Sequence, residues 1–198
     1  MAVLTASPPR QLVDDDGLLL DRSQRGDRSA LEELFHRHRT IAYRVAYRLL
    51  GNEADALDAV QDAFVKVLTH LKGFEGRSSF KTWLLRVVSN AALDYGRQRG
   101  RRESIERDDG AGEMHHEPAA NQEEPGCDLE WAELRSLLRD ALAQLPAAQR
   151  RTFVLHVDGD LTYREVADVL GISVGTVMSR LFYARQKLRA LLAEKWPR

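Results

Sequence analysis

Residues 161–191 read LTYREVADVLGISVGTVMSRLFYARQKLRAL, and they decide the fold. Thr162, followed three residues later by Glu165, is a capping box. The Thr162 hydroxyl can accept from the Glu165 N–H, and the Glu165 side chain can answer. The helix so opened buries Val166, Ala167, Val169 and Leu170 and stops at Gly171, a residue suited to the left-handed conformation of a helix end. Gly171-Ile172-Ser173 is then a three-residue turn, with Ile172 as an apolar plug and Ser173 as N-cap of the next helix. In that helix Val177, Leu181, Ala184, Leu188 and Leu191 recur at spacings of four, three, four and three. A short helix, a tight turn with glycine and a longer amphipathic helix make a helix-turn-helix.

The other side of the longer helix indicates chemistry. It presents Thr176, Ser179, Arg180, Tyr183, Gln186 and Lys187, donors suited to base edges or phosphates. Gly175 keeps the first turn slim enough for a major groove, and the free N–H groups there favour a phosphate oxygen. Arg164 on the preceding helix and Arg185 are natural phosphate partners. The arrangement is that of a recognition helix reading duplex DNA.

Moving outward, the chain has 198 residues with 29 Lys+Arg against 30 Asp+Glu, a formal net charge of −1. That total hides segregation: residues 1–30 carry −1, 31–102 carry +5, 103–130 carry −9 and 131–198 carry +4. Two basic blocks are separated by an acidic spacer. The spacer, Glu103 to Asp128, has almost no large apolar side chains. It cannot bury enough surface to order itself and reads as a flexible linker. Met1 to Asp16, with Pro8, Pro9 and three consecutive aspartates, reads as a disordered tail without a secretory signal. No apolar run reaches the roughly 18 residues of a membrane span. Cys127 is the only cysteine, which excludes an internal disulfide and a Cys-rich zinc site and fits a cytoplasmic protein.

Both basic blocks show apolar residues at helical spacing, so the fold is expected to be all-α. In residues 17–102, Leu31, Leu34, Phe35, His38, Ile41, Ala42, Val45 and Leu49 trace one helix face, closed by Gly51-Asn52. A second helix, from about Glu53 to Leu71, turns Leu57, Val60, Phe64, Val67, Leu68 and Leu71 inward. After the polar loop Gly73 to Ser79, a third helix starts near Phe80 and runs to about Arg99. A short helix around Gly17 to Arg25 packs on these, giving a small bundle. In residues 129–198, an amphipathic helix (Leu134, Leu137, Leu138, Ala141, Leu142, Leu145) and a helix opened by Pro146 precede the helix-turn-helix.

Residues 74–102 interleave Phe74, Phe80, Trp83 and Tyr95 with Arg77, Lys81, Arg86 and further arginines. Bases stack on aromatic faces while cations hold the backbone, so the mixture suits single-stranded nucleic acid. Phe80 lies on the apolar stripe. Phe74, in a loop between two glycines, has no core role in this reading and is the better base contact. The preceding helix carries Asp55, Asp58 and Asp62 with Gln61 beside them. Beside a nucleic-acid-binding block, such an acidic stripe is either a solvated face or a protein-docking surface.

Two stretches, DALDAVQDAFVKVLTHLKGFEGRSSFKTWLLRVVSNAALDYGRQRGRR and LPAAQRRTFVLHVDGDLTYREVADVLGISVGTVMSRLFYARQKLR, resemble the extracytoplasmic-function group of the σ70 family of bacterial σ factors. The resemblance implies a transcription initiation factor that binds core RNA polymerase and promoter DNA. Residues 17–102 resemble σ domain 2 and residues 129–198 resemble σ domain 4. By similarity, Asp55, Asp58, Gln61, Asp62 and Phe64 would dock on the β′ coiled coil. Phe74, Arg77, Ser78 and Ser79, with Asn90, fall where this family captures a flipped base of the −10 element. Lys81, Trp83 and Arg86 would line the melted strand. Arg164, Ser173, Gly175, Thr176, Ser179, Arg180, Tyr183, Arg185 and Lys187 would serve the −35 element, and domain 4 would also sit on the β flap. An anti-σ factor is a further partner expected from the resemblance. No membrane insertion, cofactor or metal is expected.

Two other readings compete. A stand-alone helix-turn-helix regulator would bind a palindromic duplex without polymerase, leaving the acidic stripe and aromatic-basic loop unexplained. An enzyme would need a preorganised site. His36 and Glu32 lack a third ligand, and His115-His116 sit in the spacer, so no catalytic residues are assigned.

Overall fold

The computed structural model describes residues 15–108 and 129–195. Among the described residues there are eight α-helices and no strand. They are α1 (Asp15–Gln24), α2 (Arg28–Leu50), α3 (Glu53–His70), α4 (Phe80–Asp108), α5 (Leu129–Ala143), α6 (Ala147–Val157), α7 (Tyr163–Leu170) and α8 (Val174–Lys195), with a 3₁₀ turn at Leu71–Gly73. No single helix among them is long and apolar enough to cross a membrane.

The first four helices form a bundle. Asp27 caps α2 by accepting from the N–H groups of Ser29 and Ala30, and Asn52 caps α3 by accepting from Asp55. The bundle core is Leu34, Val45, Val67, Leu84, Leu85 and Val88, all with essentially no exposed surface. Truncating one such leucine to alanine costs about 2–5 kcal/mol. On α3 the buried stripe is Ala56, Ala59, Val60, Ala63 and Val67. Leu57 and Leu68, expected inward, instead face out at 53% and 45% exposure. The small alanines bring α3 close to its neighbours and leave no room for the larger side chains on the flanks. Leu134 on α5 is likewise outward.

Two boundaries move. Asp15 and Asp16, expected in the tail, begin α1. Asp16 is held by His38 at 2.7 Å and Arg37 at 3.7 Å on α2, which gives this end of the chain a tertiary anchor. At the other side, α4 continues through residues 103–108, past the expected end near Arg99. The remaining tail and spacer positions, with His115, His116 and Cys127, lie outside the described residues.

The apolar core does not stop at the first bundle. Val154, Leu155, Leu161, Val166, Ala167, Val169, Val177 and Leu181 belong to the same cluster as the core residues of α2, α3 and α4. A smaller cluster of Ala141, Leu142, Leu145, Ala184 and Leu188 joins α5 to α8, with Phe153 packed against both. Gly159 sits at the seam between blocks. A Cβ there would stand 2.5 Å from the Leu155 carbonyl oxygen and 3.1 Å from a Leu85 methyl. Only glycine fits that approach.

Candidate nucleic-acid interface

The aromatic loop is built from three directions. Gln24, the last residue of α1, donates both amide hydrogens across the 3₁₀ turn, to the carbonyls of Leu71 at 3.0 Å and Phe74 at 2.9 Å. Ser79 caps α4, its hydroxyl accepting from the Thr82 N–H at 3.1 Å. Between these anchors the Phe74 ring packs on Trp83, centroids 4.7 Å apart, and Trp83 meets Phe80 edge-on at 6.1 Å. Phe74 is thus half-buried against the core, which corrects the expectation that it has no core role. Its ring backs an open cavity of about 370 Å³ lined also by His70, Glu75, Arg77, Ser78 and Arg86. Arg77 is exposed and pairs with Glu75 at 2.5 Å. An aromatic wall with donors at its rim can stack one base and hold its backbone.

The first turns of α4 face the second block. Lys81 donates to the Asp160 carbonyl at 2.9 Å and lies 3.3 Å from its carboxylate. Thr82 donates to Glu165 at 2.9 Å, and Arg86 donates to the Asp168 carbonyl at 2.8 Å. Arg151 on α6 donates to Ser89 at 3.0 Å and Asn90 at 2.5 Å. Asp158 takes Arg44 on its carbonyl at 2.9 Å and Arg48 on its carboxylate at 3.5 Å. Burial pushes the Asp158 carboxyl up, against the pull of Arg48 and Arg44. Burial also pulls Arg151 below the ordinary guanidinium value, helped by Arg97 and opposed by Asp94. Lys81 and Arg86, expected along the melted strand, and Asn90, expected at the flipped base, are therefore engaged by the helix-turn-helix block.

That block has the expected local construction. The Glu165 carboxylate accepts from the Thr162 N–H at 2.8 Å, and the Thr162 hydroxyl accepts from the Glu165 N–H at 3.3 Å. Partial burial pushes the Glu165 carboxyl up, but bonds from Thr162 and Thr82 and the nearby Lys81 outweigh it and hold it below the usual value. Gly171 adopts φ +64° at the end of α7, and the Ser173 hydroxyl caps α8 by accepting from Thr176 at 3.1 Å. On α8, Gly175, Ser179, Tyr183, Arg185, Gln186 and Lys187 are exposed, while Thr176 and Arg180 are half-buried. Arg164 is exposed on α7. Lys187 is tied back to the Gln144 carbonyl at 2.6 Å. Met178 and Phe182, which sequence reasoning passed over, are exposed at 55% and 62%.

The acidic stripe divides. Asp58 and Gln61 are exposed. Asp55 is engaged by Asn52 at 2.6 Å and Arg99 at 3.5 Å, and Asp62 accepts from the Tyr95 hydroxyl at 3.0 Å. Phe64 is half-buried and packs on Phe35 with centroids 4.5 Å apart. Leu57, Val65 and Leu68 stand exposed on the same helix, which makes its outer face mixed acidic and apolar.

Residues 34–102 match Sigma-70 region 2, and residues 135–188 match Sigma-70 region 4. The chain is 35% identical over 172 residues to the ECF RNA polymerase sigma factor SigE of Mycolicibacterium smegmatis, covering 85% of this chain and 65% of that protein. It is 30% identical over 176 residues to the ECF RNA polymerase sigma-E factor of Haemophilus influenzae, covering 87% of this chain and 93% of that one. The sigma factor RpoE of Bartonella quintana, solved in complex with the anti-sigma factor NepR, shares its fold with a TM-score of 0.63 and 26% identity over 84% of this chain and 99% of that chain. With both regions present in order, on an all-helical frame shared with a σ factor, the chain belongs to the extracytoplasmic-function group of the σ70 family.

Proposed function

We propose that the protein works in the cytoplasm as a promoter-directing initiation factor with its tasks divided between two blocks. Residues 17–102 form the domain that docks on the β′ coiled coil of core RNA polymerase and handles the −10 element. Residues 129–198 form the domain that reads the −35 element and meets the β flap, and residues 103–128 are the acidic tether. The observation that carries this reading is the pairing, within one chain, of the Phe74–Trp83 cavity on a basic surface with a capped helix-turn-helix.

On α3, exposed Asp58 and Gln61 make the polymerase contact, and Asp55 and Asp62 shape the helix through their own partners. Phe74, Arg77 and Ser78 take an unstacked −10 base, with Ser79 holding the loop on α4 and Trp83 behind the ring. Lys81, Arg86 and Asn90 reach the strand only after the second block moves away, because each now bonds to it. Gly175, Thr176, Ser179, Arg180 and Tyr183 face the −35 bases, with Arg164, Ser173, Arg185 and Lys187 on the phosphates. Tethering on polymerase turns the second promoter contact into an intramolecular one, so the free chain binds DNA weakly and with steep salt dependence. An anti-σ factor that holds the two blocks together would keep the chain in the arrangement described here.

Run-off transcription with purified core polymerase tests the reading. Promoter-specific product that requires this chain is the expected result. Tight binding to a palindromic duplex with no polymerase stimulation would establish a stand-alone regulator instead.

A further inference from the structure

The side of α8 that enters the core is Val177, Leu181, Ala184 and Leu188, at most 5% exposed. Met178 and Phe182 lie about 100–140° round the helix from that stripe, at about 100° per residue. They are 55% and 62% exposed. Phe182 stands on the same face as Gly175, seven residues before it. Its ring meets Tyr183 edge-on, centroids 5.4 Å apart and planes at 78°. Two large apolar side chains four residues apart are thus held in water on the outward side of the helix-turn-helix. Exposed apolar surface that is contiguous marks a contact.

The capped turn before α8 and the donors beside the strip, Ser179 and Arg180, set its occupant as a duplex groove. The major groove offers such a strip one apolar feature, the C5-methyl group of thymine. Every A·T pair carries it, and an unmodified G·C pair does not. A cytosine methylated at C5 presents the same group. Hydrogen bonds from Ser179 or Arg180 cannot sense it, because thymine and uracil share every donor and acceptor. We propose that Met178 and Phe182 are specificity-determining residues that read C5-methyl groups, so that α8 selects thymine, or 5-methylcytosine, over the same base without its methyl. This rests on the reading of α8 as the groove helix, and adds to it two residues and the chemical group they recognise.

The test uses reconstituted holoenzyme and a promoter duplex whose −35 element has been selected from a randomised library. Each thymine of that element is replaced in turn by deoxyuridine, which keeps every hydrogen-bonding group and removes only the methyl. At one or more positions binding is expected to weaken about fourfold, the value of one buried carbon group. At those positions 5-methylcytosine is expected to bind better than cytosine by a similar factor. Met178→Ala and Phe182→Ala are expected to bring the thymine-to-uracil ratio toward one, while Phe182→Leu, still apolar, keeps it. The ratio compares two DNAs on one protein, so a change in the folded fraction leaves it unmoved. Equal binding of thymine and uracil at every position, equal binding of cytosine and 5-methylcytosine, or a ratio that both alanine variants retain overturns the assignment while the −35 reading stands. Weaker core-polymerase binding by those variants, with the ratio unmoved, overturns it too and gives the strip to a protein partner. A selection that returns no −35 preference removes the reading of α8 and the assignment with it.

Discussion

Arg151 reaches from α6 across the seam between the two blocks and donates to the Asn90 side chain on α4 at 2.5 Å. The same guanidinium also donates to Ser89 at 3.0 Å, so one cation covers the end of the surface expected to meet the −10 strand. Its Nε is buried without a partner, so the clasp is made at a desolvation cost.

Arg151→Ala is expected to raise the affinity of the free, full-length chain for a single-stranded −10-type oligonucleotide by about three- to tenfold, the range of one or two lost hydrogen bonds. Loss of a positive charge alone would weaken binding, so the sign separates release of the clasp from a simple charge effect. Fluorescence anisotropy at fixed salt reads the change. Unaltered or weaker binding would show that Arg151 does not limit access.

Gln24→Ala removes both hydrogen bonds that hold the 3₁₀ turn in front of the Phe74 cavity. Binding of the same oligonucleotide is expected to fall several-fold, at about 1 kcal/mol per bond, with affinity for a −35 duplex unchanged. Equal losses on both ligands would point to general destabilisation, which urea unfolding would expose.

Glu165 couples stability to pH. Its carboxyl is held below the ordinary 4.5 in the folded chain, so the stabilisation it supplies is complete above that pH. It is lost as the pH falls through the lower folded-state value. Glu165→Gln does not titrate. The gap in urea midpoint between wild type and Glu165→Gln is therefore expected to be widest near neutral pH and to close below about 4.5. A gap that stays constant with pH would show that the capping and Thr82 bonds do not depend on the charge.

Asp58→Arg reverses an exposed charge without touching the core. Core-polymerase affinity is expected to drop about tenfold or more, as charge reversal at a complementary interface does, while thermal unfolding is unmoved. Asp55→Ala should behave differently, since Asp55 is bonded to Asn52 and Arg99, and its loss should lower the melting temperature as well. Undiminished polymerase binding by Asp58→Arg would mean that the outer face of α3 is only solvated.

Periodicity was sufficient for the all-α class, because burying one helix face imposes a repeat that any window of the chain displays. The capping box at Thr162, the turn at Gly171 and the N-cap at Ser173 were legible for a related reason. Each is made by residues within three or four positions of one another, so local order carries the whole interaction.

Contacts between distant residues left no such trace. Nothing in the spacing of apolar residues announces that Gln24 holds a turn nearly fifty positions away, that His70 joins the aromatic cavity, or that Phe64 turns onto Phe35 while Leu57 and Leu68 face solvent. Nor could net charge by segment reveal that Lys81, Arg86 and Asn90 are occupied by the helix-turn-helix block. Which helix face turns inward, and which polar group finds which partner, depends on how closely neighbouring helices approach. That distance is set by the packed whole, where alanines on α3 and a glycine at position 159 let elements far apart in the chain meet.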